Sequence, residues 1–486
     1  MEDELVAIRR SKLQQLIERG IRPYPDHYRT THTMQEAVQL PDGSEVSVAG
    51  RLMSRRGFGK LVFGHLQDRS GRGQISFKLQ GSTPDTWWLQ EHVLDIGDLV
   101  GVTGVIWTTK TGERTVDVRE AALLSKALRP LPEKWHGLKD TEQRYRQRYL
   151  DLITNEESRQ RFLIRSKVVK LIRAYLDDHG FLEVETPILQ AASSGAAARP
   201  FVTHHNALDM DLYLRISPET YLKRLVVGGI ERVYEIGKNF RNEGVDASHL
   251  QEFTMLEWYA SYWNYRDNMR FVRELIQHVV QEVFGTLTIT YEGVEIDFSG
   301  EWPEVDYRGG LLQETGIDIL AYSTYEELLA AVSERFPQMN PAQYRSFPAL
   351  VDALYKRTLR PKLIQPTFLL HHPTELVPLA RRNDDNPRIL DMFQVLINSW
   401  ELVKAYSELV DPRDQQQRML EQLEYREQGD DETMMVEDDY IEAMEHGMPP
   451  NSGLGLGIDR FLALITNAST LRDVVFFPNL RSLPPQ

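Results

Sequence analysis

The chain has 486 residues, no cysteine, 41% hydrophobic and 26% charged residues, and a formal net charge of −15. That length sustains two or three domains with cores of their own, and the lack of cysteine excludes disulfides and thiolate metal sites. No apolar run approaches the ~18 residues of a membrane helix, and the charged N-terminus has none of a signal peptide's regions, so the expected location is the cytoplasm.

In chain order, residues 4–20 carry Leu5, Ile8, Leu13, Leu16 and Ile17 at near-helical spacing, closed by Gly20 and Pro23. From about 46 to 125 the pattern becomes five strand-like segments: VSVAGRLMSRR, KLVFGHLQD, GQISFKLQ, DLVGVTGVIWTT and ERTVDVREAALL. Turns such as DRSGRG and KTGE separate them, and five short strands so close together predict a small closed barrel, most simply an OB-fold. Charge is uneven: residues 1–148 hold 23 Lys+Arg against 19 Asp+Glu, although the whole chain is acidic. Between Arg51 and Lys78 there are seven basic residues and one acid, Asp68. A local basic face of this kind suits a phosphate backbone; a solvated strand edge is the other reading. A linker-like stretch beginning LRPLPEKWHGLKD then leads into a helix, giving expected domains of 1–145 and 146–486.

Residues 156–180 predict a helix, and GFLEVETPIL an extended segment broken by Pro187. Strands are expected at 210–216, 231–237 and 250–260, helices at 217–228 and 264–285, and a mostly helical stretch at 308–360. A β-rich block at 366–408 and a polar helix at 411–428 follow. Strands outside a strict βαβ alternation predict an α+β domain with an antiparallel sheet. GLGLGIDRF reads as a glycine-rich turn entering a helix, without the surroundings of a dinucleotide fingerprint. Arg460 at that helix start is a candidate anion-binding residue, with a surface cap as the alternative. The stretch FRNEGVDASHLQEFTMLEWYASY places Arg241, Glu243, His249, Glu252 and Glu257 on a strand-like ribbon among aromatics. Buried charges cost more than they return unless a ligand carrying both signs completes them.

GFLEVETPIL, FRNEG…HLQEFTMLEWY and GLGLGIDRF occur in the order of the three motifs of class II aminoacyl-tRNA synthetases. With the runs SSGAAARPFVTHHNALDMDLYLRISPETYLKRLVVGG and QPTFLLHHPTELVPLARRNDDNPRILDMF, the chain resembles the bacterial-type lysyl-tRNA synthetases from about residue 46 to 480. The resemblance implies an α+β protein with an N-terminal OB-fold anticodon-binding domain. The rest would be a class II catalytic domain on an antiparallel sheet flanked by helices, with a helical insertion at about 308–360. It implies ATP and Mg2+, activation of L-lysine to lysyl-adenylate, transfer to tRNA(Lys), and a homodimer through the first motif.

Residue by residue, the resemblance implies Arg241 and Arg460 as catalytic, and Arg241, Glu243, His249, Phe253 and Arg460 as the ATP site. Gly195, Glu219, Arg241, Glu257, Tyr259, Tyr406 and Glu408 would hold lysine, with Tyr259 and Glu408 at its ε-ammonium. Glu401 would bind the metal. Arg56, Phe63 and Gln74 would meet anticodon bases, with Phe63 in the barrel core as the alternative. Two positions depart from the family: Gln394 replaces a usual carboxylate, and Lys404 a usual asparagine. An inward ammonium would repel a lysine substrate by about 4 kcal/mol. Lys404 is therefore expected to point out of the pocket or to pair with a carboxylate. A related ligase that modifies a protein, and a non-catalytic nucleic-acid-binding paralogue, are the alternatives.

Overall fold

The chain divides into two compact units, Met1–Asp140 and Thr141–Gln486, seen in a computed structural model. It describes residues 2–132, 138, 140–192, 195–196, 198–244, 246–344, 346–427 and 435–482. Part of the expected linker, 133–137 and 139, lies outside them.

The first unit is a closed barrel of β1 (Glu45–Phe58), β2 (Leu61–Gln67), β3 (Arg72–Lys78), β4 (Leu99–Thr108) and β5 (Arg114–Ser125), in the order β1-β2-β3-β5-β4. The long β1 closes it by serving two partners: Glu45–Arg51 pairs with β4 and Arg51–Phe58 with β2, across a register shift between Leu52 and Ser54. Alternation sends Val62 and Leu66 inward to join Val48, Leu52, Ile75, Val102 and Val116 in the core. Helix Glu2–Glu18 precedes the barrel. Only Leu16 of its expected apolar face is fully buried, whereas Leu5, Ile8 and Ile17 are exposed.

The second unit begins with helices Thr141–Arg146 and Arg148–Thr154, so the division falls before the expected residue 145. The buried Arg148 fixes this segment, donating to Asp151 at 2.6 Å and to the carbonyls of Arg472 and Phe476 at 2.8 and 3.0 Å. Helix Glu156–Asp178 follows, capped by Asn155, whose side chain accepts from the N–H groups of Glu157 and Ser158. Next come β6 (Leu182–Glu183) and a small sheet of β7 (Leu189–Gln190), β8 (Phe201–His205) and β9 (Met210–Leu214). Helix Glu219–Val227 leads to β10 (Arg232–Phe240) and β11 (Glu252–Ser261). Helix Tyr265–Phe284 has a capping box at Asn264 and a left-handed Gly285 at its end, φ 73°. Beyond it are the ribbon β12 (Thr288–Tyr291) and β13 (Val294–Asp297), then β14 (Glu304–Asp306), β15 (Thr367–Leu370), β16 (Met392–Ile397), β17 (Trp400–Ser407) and β18 (Asn451–Gly457).

Eight strands form the main sheet, in the order β14-β15-β16-β17-β18-β11-β10-β6. It is antiparallel except for the edge pairs β14/β15 and β6/β10. Its back face packs against helices Glu156–Asp178 and Tyr265–Phe284 through Val168, Ile172, Val272, Leu275, Leu256, Trp258 and Leu454. Helices Tyr307–Thr315, Tyr325–Arg335 and Phe347–Thr358 fill the 308–360 region around Leu311, Leu328, Val332 and Leu354.

The glycine-rich segment corrects the sequence reading. Asn451–Gly457 is a central strand, not a turn, and helix Ile458–Ile465 starts directly from it. Glycine disfavours strands for want of a side chain to pack, and here that lack is what the sheet needs. A Cβ at Gly453 would lie 2.2 Å from the Tyr259 ring, and one at Gly455 2.6 Å from the Met255 methyl.

Candidate active site

Alternation on three neighbouring central strands builds the site. On β11, Phe253, Met255, Glu257 and Tyr259 face a cavity of about 260 Å³, while Leu256, Trp258 and Ala260 face the core. On β18 Gly453, Gly455 and Gly457 line the cavity, and these three positions present backbone alone. On β17 it is Lys404 and Tyr406, with Val403 and Ala405 in the core. Arg241, Glu243 and His249 come from the segment joining β10 to β11; Gly195, Glu219, Glu401 and Arg460 complete the expected residues around the same cavity.

At one end the pocket is acidic. Ser217 Oγ donates to Glu257 Oε1 at 2.8 Å, and the Tyr259 hydroxyl donates to Glu257 Oε2 at 3.4 Å. The Tyr406 hydroxyl donates to Glu219 Oε1 at 2.7 Å. Gly195 has φ +84°, and a Cβ there would lie 3.1 Å from the Ser217 side chain, so both backbone and space call for glycine. Burial, with Glu219 close by, pushes Glu257 up to about 8.

Glu408 does not line this cavity. It stands behind Gly453, whose N–H donates to Glu408 Oε1 at 3.0 Å, and it is ion-paired with Lys223. Lys223 is fully buried and lies 2.6 Å from Glu219 Oε1 as well, so it bridges the pocket carboxylate Glu219 to Glu408 behind it. Sequence reasoning missed it, although the Glu219–Lys223 spacing of four on a helix was a signal. Burial alone would lower the Lys223 pKa; Glu219 and Glu408 outweigh it and hold the ammonium above its ordinary value.

The other end is cationic. The Arg241 guanidinium lies 5.1 Å from the Phe253 ring centroid, and its buried Nε has no hydrogen-bond partner among the described residues. Burial lowers its pKa, with Glu243 opposing and Arg460 adding to the shift. Arg460 donates to the Glu401 carbonyl at 3.1 Å and lies 3.2 Å from His249 Nε2, while His249 Nδ1 is 2.8 Å from Asp246. Asp459 fixes the helix that carries Arg460, accepting from the Thr254 N–H at 2.7 Å and from Arg165 at 2.5 Å. Glu252 lies apart at the surface, 3.4 Å from Lys238.

Lys404 corrects the second expectation. It lines the cavity, and no hydrogen bond or ion pair joins its ammonium to another described residue. Gln394, its partner across β16/β17, donates to Glu401 Oε2 at 2.9 Å. Burial pushes Glu401 up, but Arg460, Lys404 and Arg360 outweigh it and leave the carboxyl below its ordinary range.

In the barrel unit, Phe63 is not in the core; it lies on the outer face, with its ring 6.3 Å from that of the exposed Phe58. Arg56 is exposed and pairs with Phe63 across β1/β2. Gln74 donates to Glu113 at 2.7 Å and accepts from Thr115 at 2.7 Å, and its partner on β2 is His65. Lys78 covers the Trp107 ring at 3.9 Å. One side of the barrel thus carries aromatic rings, cations and amide groups together.

Comparison with known proteins adds two family matches: tRNA synthetases class II (D, K and N) over residues 140–481, and the OB-fold nucleic acid binding domain over residues 46–124. The lysine–tRNA ligase of Pelotomaculum thermopropionicum is 47% identical over 483 residues, 99% of this chain and 95% of that protein. That of Carboxydothermus hydrogenoformans is 47% identical over 490 residues, 99% and 98% of the two chains. That of Bacillus cytotoxicus is 45% identical over 491 residues, again 99% and 98%.

Proposed function

The chain belongs to the lysine–tRNA ligases of the class II tRNA synthetases, and from that premise we propose how its residues carry the reaction. The reaction joins lysine to tRNA with ATP as the energy-supplying substrate. The observation that supports this reading best is the arrangement of charge in one cleft: Glu219 and Glu257 beside Ser217, Tyr259 and Tyr406, and Arg241, His249 and Arg460 near Phe253, with Glu243, Glu401 and Lys404 also on its walls. Lysine has ammonium groups to match the first set and a carboxylate to match the second.

Glu219, with the Gly195 backbone beside it, receives the α-ammonium, and Glu257 lines the pocket. Tyr259 receives the ε-ammonium with Glu408 behind Gly453, and Tyr406 closes the wall. Arg241 grips the lysine carboxylate and the α-phosphate, holding the two reactants together and stabilising charge as the carboxylate attacks phosphorus. Phe253 and Arg460 hold the adenine between them, Glu243 meets its edge, and His249 and Arg460 meet the outer phosphates. The lysyl group then passes to the terminal ribose of tRNA(Lys).

A magnesium ion accompanying ATP would be held on the protein side by carboxylate oxygen. Glu401 is the carboxylate that fits, with one oxygen free of the Gln394 amide. Among the described residues no group of three acids or histidines forms a metal site by itself, which suits an ion arriving on the nucleotide. When bound, the ion would neutralise charge on the departing pyrophosphate.

The barrel unit binds the anticodon, with Phe63 as a stacking surface and Arg56 and Gln74 reading base edges. Leu182, Ile188 and Leu189 of the first motif segment are 53%, 44% and 47% exposed, an apolar surface that pairing of two copies would cover. No described helix is long and apolar enough to cross a membrane. A tRNA substrate fits a cytoplasmic location.

ATP–pyrophosphate exchange across a panel of amino acids tests the assignment. Exchange should depend on lysine and be negligible with glutamine, methionine or aspartate; exchange driven by another amino acid would overturn it.

A further inference from the structure

Lys404 is a charged side chain of the cleft that the scheme above leaves unused. Strand alternation turns it into the cavity with Tyr406. Its neighbour across β17/β18 is Gly455, which is in turn the partner of Glu257 across β18/β11. Gly455 has no side chain, and the Met255 methyl occupies the space over it, so this strand offers the ammonium no partner. Its neighbour on the other side, Gln394, is neutral and engages Glu401. The charges that face Lys404 are Glu401, Glu219 and Asp352, opposed by Arg241, and none of the carboxylates lies within ion-pair distance.

Two cations, Arg241 and Lys404, thus open onto one cleft, and the carboxylate whose field reaches both, Glu401, accepts from the Gln394 amide and forms an ion pair with neither. An anion supplied by the ligand would give both a direct partner. Lysine and ATP offer two that become one: the carboxylate and the α-phosphate, joined in the adenylate as an acyl phosphate. We infer that Lys404 is a second cation for this junction, acting with Arg241 and facing away from the substrate's ammonium groups. The inference rests on the lysine–tRNA ligase reading. In the step it serves, a carboxylate oxygen forms a bond to the α-phosphorus. The bond from that phosphorus to the bridging oxygen of pyrophosphate breaks, and its electron pair leaves with pyrophosphate. No proton moves, and Lys404 remains an ammonium throughout.

Full-length Lys404→Met, Lys404→Gln and Lys404→Arg proteins test this, each checked for an unchanged fold by circular dichroism. Three quantities are measured: lysine affinity without ATP, affinity for the sulfamoyl analogue of lysyl-adenylate, and kcat of ATP–pyrophosphate exchange. The expected result is a loss on the order of a hundredfold in kcat and analogue affinity for Lys404→Met and Lys404→Gln. Lysine affinity should change less than about tenfold, and Lys404→Arg should recover most of the loss. Tighter lysine binding with unchanged analogue affinity would show that the ammonium faces the substrate's own and would overturn the inference. So would equal losses for lysine and analogue, or no change in either. If the unsubstituted chain shows no lysine-dependent exchange, the parent reading fails instead, so the two failures are distinguishable.

Discussion

Replacing Lys223 by methionine tests whether the chain itself balances the charge of its acidic pocket. The Lys223 ammonium is fully buried, bridges Glu219 and Glu408, and lies 5.7 to 5.9 Å from the rings of Tyr259, Tyr406 and Tyr440. Methionine approximates the volume but removes the cation from both carboxylates at once. Breaking a buried pair in this way costs about 3–5 kcal/mol, because a charge is left without a counter-charge. Proton uptake limits the loss at lower pH, since each unit of pKa shift is worth about 1.4 kcal/mol. The Lys223 pKa is raised in the folded chain, so its contribution is complete below the ordinary lysine value and lost only as pH rises through the raised one. Burial pushes Glu408 up to about 8 even with Lys223 opposing it, so the deficit of Lys223→Met should grow as pH rises through ~8 and shrink below it, where the carboxyl takes up a proton. Amide hydrogen exchange of β17 and β18 reads the stability of this region directly. The double variant Lys223→Met/Glu408→Gln should recover more than half of the loss. A deficit below about 1 kcal/mol near pH ~8, or no recovery in the double variant, would refute a buried charge balance.

Three further outcomes follow from the geometry. Lysine binding should release protons: burial holds Glu257 at about 8, so it is mostly protonated near neutrality, and the ammonium groups that Glu219 and Tyr259 receive beside it favour its ionised form. A raised carboxyl favours the free folded chain less as pH climbs from 4.5 to about 8, and lysine restores the balance. Lysine affinity should thus improve by up to about tenfold per pH unit from ~6.5 to ~8, and calorimetry in buffers of different ionisation heat should register the proton; a flat profile contradicts this. Phe63→Ala should weaken tRNA charging by about 1–3 kcal/mol and leave exchange without tRNA unchanged; equal losses in both would mean that the ring supports the barrel instead. Arg241→Ala should nearly abolish exchange, and retention within about tenfold, or ~1.4 kcal/mol, would remove it from the transition state.

The barrel was readable because five short strand-like segments separated by turns follow closely in sequence, but which face of β2 Phe63 occupies emerged only with the barrel closed around Val62 and Leu66. Arg241, Phe253 and Glu257 could be located because local sequence already puts them on one ribbon. The glycines of β18 misled because strand propensity is a statement about packing, and these residues sit where packing space is absent. Lys404 had a legible signal: it shares parity with Tyr406, so a strand that turns Tyr406 inward turns Lys404 inward too. Repulsion of the substrate argued the other way, on the assumption that the ammonium would meet the substrate's amino groups. Lys223 was hidden for a different reason. A lysine four residues after a glutamate reads as an exposed helical pair until the approach of Glu408, far along the chain, shows that both are buried.

The central claim is that this chain activates lysine and delivers it to tRNA(Lys). Charging of purified tRNA(Lys) with radiolabelled lysine, with every reaction split for ribonuclease treatment, tests it most directly. ATP-dependent label that is acid-precipitable, ribonuclease-sensitive and absent with a non-cognate tRNA is the predicted result. Label that survives ribonuclease and follows a protein, or lysyl-adenylate formation with no charging of tRNA(Lys), would contradict it.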